Sequence, residues 1–467
     1  MKKLISALCA ILVLVCMVPV ITAFSADTDF VIEDGVLTNY VGEDKNVVIP
    51  SSVRVISYRA FAGNKNIESV KFSDELYSIG DEAFYGCTSL KSIENADSVR
   101  YVGALSFVDT PFLSEATDEF LTLGSVLLHY NGTSSNVTVP DGISVISAYA
   151  FLSNTSINSV NCESITHISE GAFYGCTALS DVIATKELVY VGPDAFYNTA
   201  WLNAQSDFVT LGDGLLVAYK GSSTDVVIPE NVKRIASNAF YTNKSIKSVE
   251  IPSSVFDIGA RAFMGCSSLN SVEFNSGLVM IDDEAFAQCS SLKVLTTPNT
   301  LSKIGKGAFV QCAGISIAFV DGDSLLIDYG AFAQCSSLES VLLSSNVHAV
   351  GSDTFFECNN LQYVNVSEDT IGISANTFAQ CNNVTVICKE DSFANSTLLG
   401  KVNISNNVGD SNLDGEVSVM DATLIQRYVA GITQPSNQSV AFCDANFDAN
   451  VSIIDATCVQ RIVAKLD

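Results

Sequence analysis

The sequence is poor in charge, in histidine and in tryptophan. Charged residues make up 16% of its 467 residues, and it contains 3 His and 1 Trp. Basic residues number 24 against 51 acidic ones, so the formal net charge is -27. This balance argues against nucleic acid or an anionic membrane as a partner, because both are negatively charged. With 48% hydrophobic residues the chain is not expected to be disordered, and it is too long for one hydrophobic core.

Common signatures of catalysis are also missing from the sequence. It has no HExxH, no GxSxG and no phosphate-cradling glycine loop. His167 and His348 share one place in a repeated pattern, and Arg, Val or Ser takes that place elsewhere, which indicates a variable surface position. We therefore predict a protein that is not an enzyme. A polysaccharide-degrading enzyme of an uncharacterised kind is the less favoured alternative.

Residues 1–25 have the form of a secretory signal peptide. Lys2 and Lys3 precede an apolar stretch from Leu4 to Ile21, and Ala23-Phe24-Ser25 offers small residues for cleavage. A membrane anchor is the alternative, since the apolar stretch is near the lower length that spans a bilayer. We favour cleavage and expect a secreted, extracellular protein with no membrane contact after that cleavage.

Between about residues 27 and 400, phenylalanine recurs with a fixed period. The intervals are 22 or 23 residues, apart from two double steps of 44 residues. The positions are Phe61, Phe84, Phe107, Phe151, Phe173, Phe196, Phe240, Phe263, Phe286, Phe309, Phe332, Phe355 and Phe378. Such a period predicts a solenoid, in which stacked repeats bury an apolar face that one repeat could not bury alone, with the Phe rings as a continuous spine.

Each of these phenylalanines introduces the same set of side chains. Cys often follows after three residues, Leu or Ile after six, and an aliphatic residue after nine, inside an alternating stretch such as Ser271-Val272-Glu273-Phe274. The alternation predicts a short strand with one buried face. The segment Ala262-Phe263-Met264-Gly265-Cys266-Ser267-Ser268-Leu269 resembles the BspA-like bacterial leucine-rich repeats. That resemblance implies a curved leucine-rich-repeat solenoid with a parallel β-sheet on its concave face and a mostly irregular convex side.

The cysteines of the repeats have two interpretations. They could form a ladder of disulfides or ligands, or each could fill the same small apolar slot in the core. Their unbroken step of 23 residues in the C-terminal repeats shows no preference for pairing. We predict free thiols.

Three segments depart from the ordinary repeat. Residues 29–50, 118–140 and 207–229 each carry a Gly-containing turn, then Tyr-x-Gly, then a Val-rich stretch that ends in Pro. They recur after 90 and 89 residues, which indicates a higher-order duplication of the N-terminal half. We predict hairpin-like variant repeats with projecting loops.

Side chains that flank the buried strand position are the candidates for ligand binding by the solenoid. They include Ser69, Ser92, Asp181, Glu250, Ser271, Glu273, Ser340 and Tyr363. This set is nearly free of the exposed aromatic platforms that sugar binding needs, so we favour a protein or cell-surface ligand. A carbohydrate-binding accessory module and a rigid spacer are the alternatives. Trp201 and Phe112 occupy equivalent places 89 residues apart, and we predict core packing for Trp201.

A different pattern occupies residues 404–467. Two segments 34 residues apart each place oxygen-bearing side chains at positions 1, 3, 5 and 12 of a loop. That is the spacing of an EF-hand-type loop, where a calcium ion takes hard oxygen ligands from one short segment and position 7 gives its backbone carbonyl. The predicted ligand residues are Asp410, Asn412, Asp414, Glu416 and Asp421 in the first loop, and Asp444, Asn446, Asp448, Asn450 and Asp455 in the second.

An amphipathic helix pattern follows each loop, and this duplicated loop-helix resembles a type I dockerin, a small all-α module of cellulosomes. The resemblance implies two bound Ca²⁺ ions and, as partner, a cohesin module on a scaffoldin. The residues that it implies for cohesin contact are Val419, Met420, Gln426, Arg427, Ile453, Ile454, Gln460 and Arg461. Because the two sets match, either repeat could face the cohesin.

Position 6 of the second loop departs from the dockerin pattern. Ala449 stands there, where Gly is usual. If the backbone φ must be positive at this position, the β-carbon costs about 1–2 kcal/mol. We therefore expect the second site to bind calcium more weakly than the first.

Overall fold

The computed structural model describes residues 29–184, 186–434 and 436–466, and the predicted signal peptide lies outside them. The chain divides into two compact units. One comprises the described residues up to 98 together with 105–115, and the other comprises 99–104 and the described residues from 116 onward. Both consist mainly of short parallel strands, as the repeat pattern predicts. Among the helices of the described ranges, none is long and apolar enough to cross a membrane.

The first unit contains one hairpin and two rows of parallel strands. Phe30–Glu33 pairs antiparallel with Val36–Tyr40. One row continues from that hairpin through Val55–Ile56 and Ser78–Ile79, and the other consists of Asn46–Val48, Ser69–Lys71 and Ser92–Glu94. Each residue in the second row pairs with the residue 23 places later, so the sequence period is also the strand register.

The second unit repeats this arrangement at greater length. Its first row of strands comprises Tyr101–Val102, Phe120–Leu123, Val126–Tyr130, Val145–Ile146, His167–Ile168, Tyr190–Val191, Phe208–Leu211, Leu215–Tyr219, Arg234–Ile235, Asp257–Ile258, Met280–Ile281, Lys303–Ile304, Leu325–Ile327 and Val347–Val350. Two antiparallel hairpins lie within it, 120–130 and 208–219. Together with the hairpin at 30–40, they confirm the hairpins predicted for the three variant segments.

The other row of the second unit forms three parallel sheets. The first two are Asn136–Thr138, Ser159–Cys162 and Asp181–Ala184, then Asp225–Val227, Ser248–Ile251 and Ser271–Phe274. The third, which we call the C-terminal sheet, has six strands: Val294–Thr296, Ile317–Val320, Ser340–Leu343, Tyr363–Asn365, Thr385–Ile387 and Asn403–Ser405. This sheet therefore continues past residue 400, where we predicted the solenoid to end.

The repeat phenylalanines stack on one another inside each unit. From Phe240 to Phe378 the ring centroids of successive residues lie 4.5–5.8 Å apart and the rings are nearly parallel. Two of the stacks end where an aromatic side chain from a short helix packs at a tilt against the last ring. Phe112 does this to Phe107, and Trp201 does it to Phe196, at 5.2 and 4.7 Å. The predicted core packing of Trp201 is confirmed.

The described cysteines are free thiols, as predicted, and most are buried. In eight repeats the thiol also makes a hydrogen bond. Its Sγ–H donates to the backbone carbonyl oxygen of the phenylalanine in the preceding repeat, with sulfur–oxygen distances of 2.9–3.3 Å. Cysteine suits this position because it combines a small apolar volume with a weak donor.

Within the described residues, helices are few and short before the C-terminal region: α1 (Pro111–Ser114), α2 (Ala200–Ala204) and α3 (Phe393–Leu398), with a 3₁₀ helix at Ala375–Phe378. The C-terminal region adds α4 (Val419–Val429), α5 (Asn437–Cys443) and α6 (Ile453–Val463). Ser418 and Ser452 cap α4 and α6, each in a capping box with the Asp three residues later. Helices α4 and α6 pack together through small and aliphatic side chains, which include Ala422, Ile425, Ala456 and Val459.

Candidate metal sites and the surfaces around them

The first acidic loop brings its predicted side chains together before α4. Asp410 accepts hydrogen bonds from the backbone N–H groups of Asp414 and Gly415, at 3.1 and 3.0 Å. Asp421 accepts from the backbone N–H of Asn412 through one oxygen and from Ser418 through the other. The loop is thus folded around its own carboxylates, and hydrogen bonds within it connect positions 1, 3, 5 and 12.

The second loop has the same hydrogen-bond pattern and a tighter set of acids. Asp444 accepts from the backbone N–H groups of Asp448 and Ala449, both at 3.1 Å. One ligand oxygen from each of Asp444, Asp448 and Asp455 lies within 4.8 Å of the others. Carboxylate and amide oxygens on one short loop are the donor set that Ca²⁺ prefers, so both loops fit that ion by their chemistry.

The Asp444 and Asp455 carboxyl groups of the second loop are buried, so a positive charge beside them would stabilise their ionised forms. Burial, together with the neighbouring Asp455 and Asp448 carboxylates, raises the pKa of Asp444 to about 8. Burial also raises the pKa of Asp410 and of Asp455 above the usual range for a carboxyl. A divalent cation among these groups would stabilise their ionised forms, because it would offset both the desolvation and the mutual repulsion.

Ala449 has the backbone conformation that made us expect a weaker site. Its φ is +57°, in the left-handed region, and Gly415 at the equivalent position has φ +90°. The two environments differ, however. An added β-carbon at Gly415 would meet open space, whereas the Ala449 side chain is buried in an apolar cluster. The strain at Ala449 is therefore accompanied by burial of its methyl group.

The residues implied for partner contact all lie on the surface. Val419 and Met420 are 60% and 65% exposed at the start of α4, and Ile453 and Ile454 are 54% and 57% exposed at the start of α6. The polar members Gln426, Arg427, Gln460 and Arg461 are exposed on the same two helices. The exposed apolar side chains at the start of these two similar helices form two matching apolar patches on the surface.

One surface of the C-terminal region is covered by the chain itself. The outward face of the C-terminal sheet joins the apolar cluster of the loop-helix region through Ile317, Phe319, Leu342, Tyr363 and Ile387. The Tyr363 ring packs edge-on against Phe442 of α5, at 5.3 Å between centroids. We call residues 408–466 the C-terminal module. The contact between this module and the outward face of the C-terminal sheet is called the seat.

The seat corrects one part of the sequence interpretation. Ser340 and Tyr363 were assigned to an open ligand-binding face, but Ser340 is fully buried and Tyr363 half-buried under the C-terminal module. The sequence carried a signal for this. In the exposed strand Ser271–Phe274 the outward positions are the polar Ser271 and Glu273, whereas Leu342 makes its strand apolar on both faces.

The remaining candidates for a ligand face stay accessible in the other sheets. Ser92, Asp181, Glu250, Ser271 and Glu273 are exposed, and Ser69 is half-buried. Glu250 and Glu273 are direct strand partners. Next to this face, a polar groove of about 760 Å³ is lined by residues that include Lys247, Asn270, Lys293, Ser316, Ser337 and Glu339. The surface is thus polar and mixed in charge.

Comparison with known families gives two matches that together span most of the chain. Copies of the BspA type leucine rich repeat region match residues 39–122, 122–206, 217–325, 268–385 and 325–412. The dockerin type I domain matches residues 408–464. Both matched families are non-catalytic modules. A search among curated proteins returned no significant match.

The solved structures that match this chain include several bacterial proteins. A leucine rich cell surface protein from Faecalibacterium prausnitzii is 22% identical, over 81% of this chain and 97% of its own, with a TM-score of 0.28. The pneumococcal vaccine antigen PcpA is 16% identical, over 80% and 95%, with a TM-score of 0.35. A leucine-rich repeat protein from Bacteroides ovatus is 18% identical, over 74% and 93%, with a TM-score of 0.27.

Proposed function

Because this chain belongs to the BspA-type leucine-rich repeat family and ends in a dockerin type I domain, we propose that it is a secreted, non-catalytic component of a cellulosome-type assembly. The dockerin attaches the protein to a cohesin on a scaffoldin. The leucine-rich repeats bind a second protein or a cell surface and so bring it to the assembly, where polysaccharide is broken down by other components.

Calcium holds the dockerin in its binding form in this proposal. Each loop takes one Ca²⁺, the first through Asp410, Asn412, Asp414, Glu416 and Asp421 and the second through Asp444, Asn446, Asp448, Asn450 and Asp455. The support is the hydrogen bonding around Asp410 and Asp421 in the first loop and the convergence of three carboxylates in the second, each before the capped N-terminus of a helix. Binding of the ion and folding of the loops are coupled, since the oxygens converge only in the folded loop.

Cohesin binding uses the two matching exposed surfaces. One comprises Val419, Met420, Gln426 and Arg427, and the other Ile453, Ile454, Gln460 and Arg461. The proposal rests mainly on one observation: the four large apolar side chains beside the loops are all exposed to solvent. Exposed apolar patches of this kind often mark a binding surface. Since the surfaces are equivalent, one of them suffices for binding.

The test is binding of full-length protein to a type I cohesin by calorimetry. We expect Met420→Asp alone and Ile454→Asp alone to retain binding, because the other surface remains. The double variant should lose it, since both surfaces then carry a charge in the apolar contact. Full binding by the double variant would contradict the assignment of these surfaces.

For the repeats we propose a protein or cell-surface ligand on the face that contains Glu250 and Glu273. Its support is a polar face with exposed carboxylates, which suits recognition of charged protein surfaces. The test is affinity capture of secreted and surface proteins on immobilised full-length protein. We expect saturable capture of one protein, lowered by the double change Glu250→Lys and Glu273→Lys. Capture that these changes leave unaltered would contradict this face.

A carbohydrate ligand is the second candidate, favoured by one pair of side chains. Tyr174 and Tyr197 stack with centroids 4.9 Å apart while 37% and 51% exposed, so they offer ring faces to a ligand. Retention on insoluble plant fibre that is lost in the double variant Tyr174→Ala and Tyr197→Ala would favour this candidate. Absence of both protein capture and fibre retention would leave the repeats as a rigid spacer.

A further inference from the structure

The C-terminal module is tied to the repeats by polar as well as apolar contacts. The backbone N–H of Ser345 donates to the carbonyl oxygen of Phe447, inside the second loop, at 2.7 Å. The Ser340 hydroxyl donates to the carbonyl oxygen of Asn437 at the start of α5. These contacts reach the second loop and the helix α5 that precedes it, so the C-terminal sheet holds this loop in place.

Asn365 makes the most specific of these contacts. It lies in the strand Tyr363–Asn365, directly between Leu342 and Ile387 in the sheet register, and is fully buried. Its Nδ2 donates to the backbone oxygen of Asp444 at 3.2 Å and to Asp444 Oδ2 at 3.1 Å. Its Oδ1 is buried without a hydrogen-bond partner. A buried amide between two aliphatic neighbours is costly, which favours a specific role for its bonds to Asp444.

The first loop provides an internal comparison. Asp410 and Asp444 each receive two hydrogen bonds from their own loops, with almost equal distances. The Asp444 carboxylate receives a third hydrogen bond, from Asn365, whereas within the described residues the Asp410 carboxylate accepts only from its own loop. Asn446 and Asp448 are also half-buried, while Asn412 and Asp414 are exposed. The solenoid thus orients and shields one loop of an otherwise duplicated pair.

We propose that Asn365 is a positioning residue for the second calcium loop, so that calcium binding there and seating of the C-terminal module on the C-terminal sheet stabilise each other. The inference rests on the proposed calcium function of that loop. A donor fixed in the sheet holds the Asp444 carboxylate in the orientation that the ion requires, as outer partners do for metal ligands generally. The linkage is reciprocal, so calcium should tighten the seat as much as the seat tightens calcium binding.

The experiment uses full-length protein and isolates each loop by a matched substitution. Asp414→Ala weakens the first site and leaves the second, and Asp448→Ala does the reverse at the same loop position. The change Asn365→Leu is then added to each of these two variants. It removes the amide but keeps the sheet face apolar beside Leu342 and Ile387. Asn365→Ala serves as a second variant should the leucine fit badly. Circular dichroism checks the fold of every protein.

Calcium titration by calorimetry gives the first result. With the first site weakened, Asn365→Leu should lower the calcium affinity of the second loop by about tenfold. With the second site weakened, the same change should leave the affinity of the first loop unaltered. Equal affinity with and without the amide would overturn the inference alone. No calcium binding by the Asp414→Ala protein would overturn both the inference and the proposed second site.

Amide hydrogen exchange gives a second result that does not depend on affinity. The Ser345 N–H bonds across the seat, so exchange in residues 340–346 reports seating. Calcium should slow this exchange in the Asp414→Ala protein, and slow it less once Asn365 is replaced. In the Asp448→Ala protein calcium should have little effect. If calcium occupies the second loop and the exchange of residues 340–346 does not change, the proposed linkage between calcium binding and the seat is contradicted.

Discussion

The thiol of Cys312 donates a hydrogen bond to the backbone carbonyl oxygen of Phe286, with the sulfur 3.1 Å from the oxygen. Cys289 makes the same bond to Phe263 one repeat earlier, and Cys335 makes it to Phe309 one repeat later. Each thiol therefore links its own repeat to the one before it, beside the stacked rings. The cysteine ladder is an element of repeat-to-repeat packing rather than a set of disulfides.

Replacing Cys312 with Ala should destabilise the protein by about 1–2 kcal/mol, since it removes a buried sulfur and leaves a carbonyl without its donor. Ser at the same position should restore the hydrogen bond to the Phe286 oxygen and remove part of the loss. Urea unfolding of the two variants measures both effects. Equal stability of wild type and Cys312→Ala would show that the thiol contributes nothing.

Thiol chemistry should distinguish native from unfolded protein. Burial raises the pKa of Cys266 and of Cys381 to about 12, so both remain protonated from pH 7 to pH 9 in the folded state. We expect slow reaction with a thiol reagent across that range, and rapid reaction of all described cysteines once guanidinium unfolds the chain. Few free thiols in the unfolded protein would indicate disulfides and contradict the structure.

The phenylalanine stack should dominate the stability of the second unit. Phe263 is fully buried between Phe240 and Phe286, so Phe263→Ala should cost about 3–5 kcal/mol. The neighbouring surface residue Tyr241 is 47% exposed, and Tyr241→Ala should change stability by about 0.5 kcal/mol or less. Thermal and urea unfolding provide the comparison. Similar losses for the two variants would contradict the assignment of the stack as the core.

Phe319 and Glu273 both lie ten residues after a repeat phenylalanine, the first in a covered strand and the second in an open one. Phe319 holds this position in the C-terminal sheet and packs against the C-terminal module, and Glu273 holds it in an exposed strand. Phe319→Ala should weaken the seat by about 1–2 kcal/mol, seen as faster exchange in residues 437–447. Glu273→Ala should leave that exchange unchanged. Equal exchange in both variants would argue against the seat.

Much of the fold follows from the period of the sequence. A repeat of 23 residues aligns equivalent side chains in parallel strands, so the register, the Phe stack and the free cysteines could all be predicted from residues such as Phe263 and Cys266. The two acidic loops could be placed for the same reason, because their ligand spacing is local.

The seat of the C-terminal module was not predicted. It depends on contacts between residues 79 or more apart in sequence, such as Asn365 with Asp444 and Ser340 with Asn437, which no local period specifies. The apolar outward residues Phe319 and Leu342 do not by themselves identify the seat, since exposed strands also carry apolar residues at comparable positions, as Ile183 shows. In short strands such a pattern is hard to recognise, because a single residue determines whether one face of the strand is polar or apolar.

The most direct test of the account is the binding of full-length protein to an immobilised type I cohesin, first with calcium and then with a chelator. We predict saturable binding in calcium that falls by on the order of a hundredfold or more when the ion is removed, because the loops lose their folded form. The double variant Asp410→Ala and Asp444→Ala should behave in calcium as wild type does in chelator. Binding that is equally tight without calcium, or no binding in its presence, would contradict the proposed role.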